Sequence, residues 1–318
     1  MTVPGSVTVT AIVVAYNSSA HLASCLAALL AATDGPLEIL VVDNASPDDT
    51  AAAVLATGVA ARVIRMPRNA GFAVACNAGA REATGDYICF VNPDARVAPG
   101  AFDALLDASR RRPDHLLYSG RVETPDGHLD AGCCSALPSL WEYTCFATGL
   151  STAFPRSRLF DPRALGDWDR TDERVVPAIS GAFLLARRES FAEIGGFDEG
   201  YFMYSEDVDL SLRATTAMRP PLFVPSAVAI HDGGGSSTSG AKARMVLTGK
   251  VTFMLKHWPP ARRRVGIGLL LTGVGVRALG ARITGRGQQW REAWAHRSDW
   301  RLGWRLDEPA TRPAGSGL

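Results

Sequence analysis

Five carboxylates fall within Gly195–Leu212, GGFDEGYFMYSEDVDLSL: Asp198, Glu199, Glu206, Asp207 and Asp209. They share the stretch with Tyr201, Phe202, Met203, Tyr204, Val208, Leu210 and Leu212, which a solvated charge run would not carry. Gly195-Gly196 and Gly200 supply turns, and Ser205 can cap a helix that starts at Glu206. Such a start places Glu206, Asp207 and Asp209 where the helix dipole favours negative charge. Acids gathered against an apolar wall offer carboxylate chemistry. A capped helix with ordinary first-turn acids carries the same pattern, so the remaining elements must decide.

Those elements alternate. Val7–Ala15 reads as a buried strand ending at Tyr16-Asn17, with Ser18 and Ser19 as caps for a helix around Ala20–Ala32. A second strand, Glu38–Val42, stops at Asp43-Asn44, and Ser46 or Asp48 is expected to start the next helix. A third, Ala61–Met66, runs into Asn69-Ala70-Gly71, followed by a helix over Ala73–Ala83. A fourth, Tyr87–Val91, ends at Asn92-Pro93-Asp94, with a helix over Pro99–Arg112 beyond it. Strand–helix alternation with right-handed crossovers predicts a parallel, doubly wound α/β sheet. Ligands bind such sheets outside the carboxyl ends of the strands. Four polar clusters at equivalent strand ends therefore read as one site.

Residues 113–175 read as an irregular, variable excursion, a hairpin at the Pro125-Asp126-Gly127 turn and a loop. Ile179–Arg187 returns as a strand with Gly181 allowing close backbone approach, and Pro221–Ile230 is the last strand, ending at His231. The Gly/Ser-rich stretch 232–240 marks a boundary, giving a main domain over 1–240 and a helical extension over 241–318.

The extension differs in character: ten arginines lie between Ala261 and Leu306 against Glu292 and Asp299, with four of the seven tryptophans. Its apolar run, Val265–Val276, is shorter than the roughly 20 residues a spanning helix needs. Arginine with interfacial tryptophan suits a helix lying on an anionic membrane surface; a helical pair packing its Trp/Leu face is the alternative. A recognisable nucleic-acid module is missing, which argues against such a partner. The six cysteines show no ligand spacing and read as reduced core thiols of a cytoplasmic protein, and the N-terminus lacks a secretory pattern.

The blocks VVAYN at 13–17, VVDNASPDDT at 41–50, NAGFAVACNAG at 69–79, VNPD at 91–94 and SGAFLLARR at 180–188 occur in order. With the acidic stretch and His231, the chain resembles a family 2 glycosyltransferase of the GT-A fold over about residues 7–240. Within that family it is most similar to rhamnosyltransferases using a nucleotide-diphospho-rhamnose donor. The resemblance implies an inverting transfer of a deoxyhexose, L-rhamnose from dTDP-L-rhamnose, to a saccharide or a polyprenyl-diphosphate-linked acceptor. It implies Mg²⁺ or Mn²⁺ to neutralise the leaving diphosphate, with Asp94 and His231 as ligands. Asn92 stands where the family's metal motif has its first acid. Asp207 matches the general base, and Glu206 either shares that role or binds acceptor beside Gly181 and Ala182. Asp43 can accept the imide N–H of thymine or uracil. Ala15, Tyr16, Asn17, Asn69, Gly71 and Asn92 are expected around the donor, whereas Asn77 and Gly79 are expected to pack and Asp209 to orient its helix.

Two other classes compete. A nucleotidyltransferase would carry a Gly-rich, basic phosphate loop after the first strand, and AYNSSAH is not one. A non-catalytic sugar-nucleotide-binding protein would keep the fold without turnover, and retention of Asp43, Asp94, Asp207 and His231 together argues against it. Another donor such as a UDP-hexose, a soluble acceptor, peripheral membrane contact and a homo-oligomer are all compatible with the sequence.

Overall fold

The computed structural model describes residues 7–231 and 239–304. The boundary stretch expected at 232–240 lies outside the described residues at 232–238, as does Arg305 of the basic tail. The chain divides into two compact units. The first takes Met1–Ser135, Asp169–Asp198 and Asp207–Ser236; the second takes Ala136–Trp168, Glu199–Glu206 and Ser237–Leu318. The C-terminal helices thus share their unit with two earlier segments, rather than forming an extension that starts at 241.

The first unit opens as βαβ repeats: β1 (Val9–Ala15), α1 (Ser19–Leu30), β2 (Leu37–Asp43), α2 (Thr50–Ala56), β3 (Arg62–Arg65), α3 (Phe72–Glu82) and β4 (Tyr87–Val91). β1 and β4 are buried at every position, as continuous apolar runs in a central parallel sheet must be. There follow β5 (Ala95–Val97), α4 (Ala101–Arg111), β6 (Leu117–Glu123) and β7 (Cys134–Ser135). The chain next contributes α5 (Leu140–Thr148) and α6 (Leu150–Ala153) to the second unit. It returns as β8 (Arg174–Val175), β9 (Ala178–Ile179), β10 (Phe183–Arg187) and α7 (Arg188–Glu193), and then as α8 (Glu206–Thr216) and β11 (Leu222–His231).

The strands form one large sheet in the order β3-β2-β1-β4-β10-β6-β11-β5, with β8 on β11, while β7 and β9 pair separately. Pairing is parallel from β3 through β4; β10 then inserts antiparallel between β4 and β6. β11 runs parallel to β6 and antiparallel to β5. Its register shifts between Val224 and Val228, and a Cβ on Gly120 would overlap the Ala227 carbonyl there.

Four expectations need correction. The segment 113–175 has the expected turn, at Thr124–His128, but is not irregular throughout, because it also holds β6 and α5. The strand expected over Ile179–Arg187 is broken at 180–182, and that break turns out to serve the site. Finally, Ser18 makes no side-chain cap; its Oγ donates to Tyr16 O, while Asp48 Oδ2 accepts the Ser19 N–H that opens α1. The helix expected to start at Ser46 or Asp48 is capped by Asp49.

In the second unit, α9 (Ser239–His257), α10 (Pro260–Thr284), α11 (Gln288–Ala295) and α12 (Arg297–Trp300) follow α5 and α6. Tyr143, Val251, Met254, Trp258, Leu270, Val274 and Trp300 form its core. The Trp300 indole donates to Ala293 O at 2.7 Å, and Trp290 and Trp294 are packed against the cluster. The 12-residue apolar run sits in a helix of 25 residues whose most apolar 18-residue window has mean hydropathy 1.4. By length and composition α10 is therefore long enough to cross a bilayer, contrary to the expectation from the run alone.

Candidate active site

The carboxyl ends of β1, β2 and β3 are tied together by short polar side chains. Asn44 is 3% exposed, and its amide makes three hydrogen bonds. Nδ2 donates to Asn69 Oδ1 at 3.0 Å and to Gly71 O at 3.2 Å, and Oδ1 accepts from Ala70 N at 3.0 Å. Gly71 caps α3 at φ 90°, a conformation open to glycine but strained for other residues. Ser46 Oγ accepts the Asn17 N–H at 3.1 Å and faces Ala15 O at 3.4 Å; Ala15 O also accepts the Asn44 N–H at 2.9 Å. Asp43 Oδ1 accepts from Ser46 N at 2.9 Å, and Oδ2 has no hydrogen-bond partner among the described residues. Tyr16 and Asn17 are half-buried, and Asn17 takes φ 52°. This rim can present one free carboxylate oxygen and several backbone groups to a base and ribose.

Asn44 was legible only as a polar neighbour of Asp43; its clamp on 69–71 was not. Asn44→Ala leaves the Ala70 N–H and Gly71 carbonyl without that partner. The expected cost is about 2 kcal/mol of unfolding free energy by denaturant titration.

A second group lies where β4, β5 and β11 meet. The register Ala95↔His231 places His231 next to Asp94, and Nε2 is 3.0 Å from Asp94 Oδ1 and 3.4 Å from Asn92 Nδ2. On the other side of the ring, Nδ1 faces Asp130 Oδ2 at 3.9 Å, an ion-pair separation. Asp130 is held in turn, since its Oδ1 accepts the Gly132 N–H at 2.8 Å. The flanking carboxylates of Asp130 and Asp94 raise the His231 pKa to about 9 against the effect of burial. Burial alone would lift Asp94; the hydrogen bond and charge of His231 outweigh it and hold the carboxyl below its ordinary value. Below these groups, burial and then Asp94 push the Cys25 thiol up to about 12, consistent with an inert core thiol.

Among the described residues no group of three or more His, Cys, Asp or Glu could hold a metal ion by itself. The donor set still fits one. Two ligands on adjacent corners of an octahedron with bonds of roughly 2.1 Å are about 3.0 Å apart, which is the Asp94–His231 separation. Hard cations that keep waters and substrate phosphates need only one or two protein ligands. Nε2 is the nitrogen beside Asp94, and Nδ1 faces a carboxylate, the usual outer-shell arrangement for a ligating histidine. Asp130 had no signal in the sequence beyond its place after a Pro-Asp-Gly turn.

The third group is α8. Asp207 Oδ2 accepts the Gly181 N–H at 3.1 Å, and Oδ1 accepts the Val208 N–H at 2.8 Å. Gly181 lies in the break between β9 and β10, where a Cβ would come 3.3 Å from the Phe72 ring. The same turn reaches the second group, because Ala182 O accepts the Asn92 N–H at 3.0 Å. Glu206 is 5% exposed, whereas Asp207 is half-buried and so the more accessible carboxylate. Asp209 is buried and pairs with Arg213 at 2.8 Å, which also donates to Ile194 O and Gly196 O. Asn77 brackets Phe197, donating to its carbonyl at 2.8 Å and accepting its N–H at 3.0 Å. These contacts fix the glycine turn that precedes the acidic stretch.

This arrangement of sheet, strand-end loops and helix start is the GT-A glycosyltransferase fold. GalNAc-T7, solved with UDP, GalNAc and Mn²⁺, superposes with TM-score 0.58 at 18% identity over 81% of this chain and 49% of its own. A mannosyltransferase from Pyrobaculum calidifontis, in complex with GDP-Man and Mn²⁺, gives 0.55 at 18% identity over 92% and 84%. The glycosyl transferase family 2 model matches residues 10–134, and the chain belongs to that family. The N-acetylglucosaminyl-diphospho-decaprenol L-rhamnosyltransferase of Mycobacterium tuberculosis is 31% identical over 265 residues, covering 76% of this chain and 82% of its own. Rhamnosyltransferase WbbL of Escherichia coli is 30% identical over 166 residues, 48% of this chain and 54% of its own.

Proposed function

We propose that the protein is an inverting, divalent-metal-assisted rhamnosyltransferase. Its donor is dTDP-L-rhamnose and its acceptor a polyprenyl-diphosphate-linked saccharide at the cytoplasmic face of the membrane. The observation that carries this reading is the 180–182 turn. Through Gly181 N–H it holds the Asp207 carboxylate, and through Ala182 O it holds Asn92 beside the Asp94–His231 pair. One turn thus spaces a proton acceptor from a cation-binding group, as displacement of a diphosphate by a hydroxyl requires. The names of the relatives support the sugar and the lipid-linked acceptor.

In this mechanism Asp43 accepts the thymine imide N–H, and Asn69, Gly71, Ala15, Tyr16 and Asn17 bound the nucleoside. Asp94 and His231 would hold Mg²⁺ or Mn²⁺, which when bound neutralises charge on the leaving diphosphate. Asp207 takes the acceptor hydroxyl proton as that oxygen attacks the anomeric carbon from the face opposite the diphosphate. The C–O bond to the diphosphate breaks and the configuration inverts. Gly181 and Ala182 line the acceptor side. A donor screen tests the reading: dTDP-rhamnose, UDP-sugars and GDP-sugars are offered with Mn²⁺ or Mg²⁺, and nucleoside diphosphate release is measured. Selective use of dTDP-rhamnose is expected; preference for a UDP-hexose would overturn the donor.

Metal uptake should depend on pH. His231 holds its proton up to about pH 9 and must lose it to ligate. Apparent Mn²⁺ affinity is therefore expected to rise about tenfold per pH unit from pH 6 to 8 and to level off above the His231 pKa. Calorimetry in buffers of different ionisation enthalpy would show about one proton released per Mn²⁺. A flat profile would remove His231 from the ligand set. In the metal-free protein the sign is opposite: a raised pKa contributes stability below pH 6.5 that is lost as pH rises through about 9.

A further inference from the structure

We propose that the outer stripe of α10 seats this protein on an anionic phospholipid surface. Of the thirteen exposed large hydrophobic side chains among the described residues, nine lie in the second unit. Four of them, Val265, Val276, Leu279 and Ile283, are 53–79% exposed and share one line along α10. Val265 and Ile283 are five helical turns apart at 3.6 residues per turn, with Gly268 and Thr272 filling the line between them. Arg264 and Arg282 are spaced by the same five turns and flank the stripe along one edge, both exposed.

The other sides of α10 pack within the unit. A Cβ on Gly266 would overlap Trp258, one on Gly273 would overlap Phe146, and one on Gly275 would come 3.0 Å from Trp294. Mid-helix, the Arg277 guanidinium lies 3.8 Å from the Phe146 ring centroid and donates to Phe146 O and Thr152 Oγ1. A crossing helix would forfeit these contacts, whereas a helix lying in the interface keeps them and buries only its outer line. The tryptophans expected at the membrane are used inside the unit, so the apolar contact falls to aliphatic side chains instead.

Charge selects the occupant. Residues 260–291 hold seven arginines and no acid. Pairing two such stripes in a dimer would bring like-charged rows together, while anionic headgroups neutralise them as the aliphatic line enters the acyl boundary. The next segment on the same unit has the same chemistry. Phe154 and Leu159 are 51% and 58% exposed beside Arg156 and Arg158, and Thr152 is tied to α10 through Arg277.

Co-sedimentation of the full chain with vesicles tests this surface, independently of donor identity. Vesicles of phosphatidylcholine alone are compared with vesicles containing about one third phosphatidylglycerol, at about 0.1 M and about 0.5 M NaCl. Binding to anionic vesicles is expected to be at least about tenfold tighter than to neutral ones and to weaken with salt. Leu279→Asp with Ile283→Asp should reduce it at least about tenfold, and Arg264→Gln with Arg282→Gln should reduce it about as much at low salt. Both variants change exposed positions, and retained donor binding certifies their fold; loss of donor binding in the parent protein would instead count against the proposed function alone. Absent or salt-independent vesicle binding, or unchanged binding by both variants, overturns the proposal. So does a dimer that Leu279→Asp dissociates without any vesicle binding.

Discussion

Asp207→Asn is expected to lower the transfer rate about 10³-fold with donor and Mn²⁺ binding preserved. The substitution keeps the side-chain volume and one oxygen to accept the Gly181 N–H, so the 180–182 turn is held, while the Val208 N–H at the helix start loses its acceptor. On the proposed mechanism the substitution removes the basicity that takes the acceptor hydroxyl proton as the new bond forms. Single-turnover transfer from a saturating donor separates that step from binding, and isothermal titration of the nucleotide checks that the donor rim is intact. An amide variant transferring at a rate within about threefold of the parent would exclude Asp207 as base and move attention to Glu206.

Asp94→Asn is expected to weaken Mn²⁺ affinity by at least about 100-fold, more than the 10- to 100-fold typical of an outer-shell partner. Among the described residues Asp94 is the single carboxylate at His231 Nε2, because its neighbour in the motif is Asn92. Removing its charge also removes part of what keeps His231 protonated, so the variant's affinity should reach its plateau at lower pH than the parent's. Manganese titrations followed by electron paramagnetic resonance at pH 7 and pH 9 read both effects. Rescue of turnover by millimolar Mn²⁺ would show that the defect is in cation capture. Affinity unchanged by Asp94→Asn would place the cation elsewhere.

The parallel half of the sheet could be read from the chain because each strand there is a continuous apolar run closed by a polar cluster. β4 was expected at Tyr87–Val91 and is found there. The antiparallel insertion of β10 between β4 and β6 was not legible, since periodicity identifies a strand without naming its neighbours. α5 was missed because LWEYTCFAT is rich in aromatic and β-branched residues that suit a strand. Its signal was a capping motif: Ser139 Oγ accepts the Glu142 N–H three residues on. At 46–49 several side chains are chemically able to cap α2, and packing chose Asp49 while sending Asp48 to α1. In the site, residues standing at strand ends were readable as a group. Asp130 reaches His231 only through the pairing of distant strands, which no local spacing records.

The Asp94–His231 contact spans 137 residues of chain, and its approach depends on β11 resuming register after the shift beside Gly120. Closing so long a loop costs entropy that local contacts do not repay, so this pairing belongs to the late stages of folding. A ribosome-bound chain that has not yet released β11 already contains Asp43 and Asn69, but not the imidazole. On the proposed mechanism, nucleotide recognition and cation capture would then mature at different times during synthesis, the second marking that the sheet has closed in register.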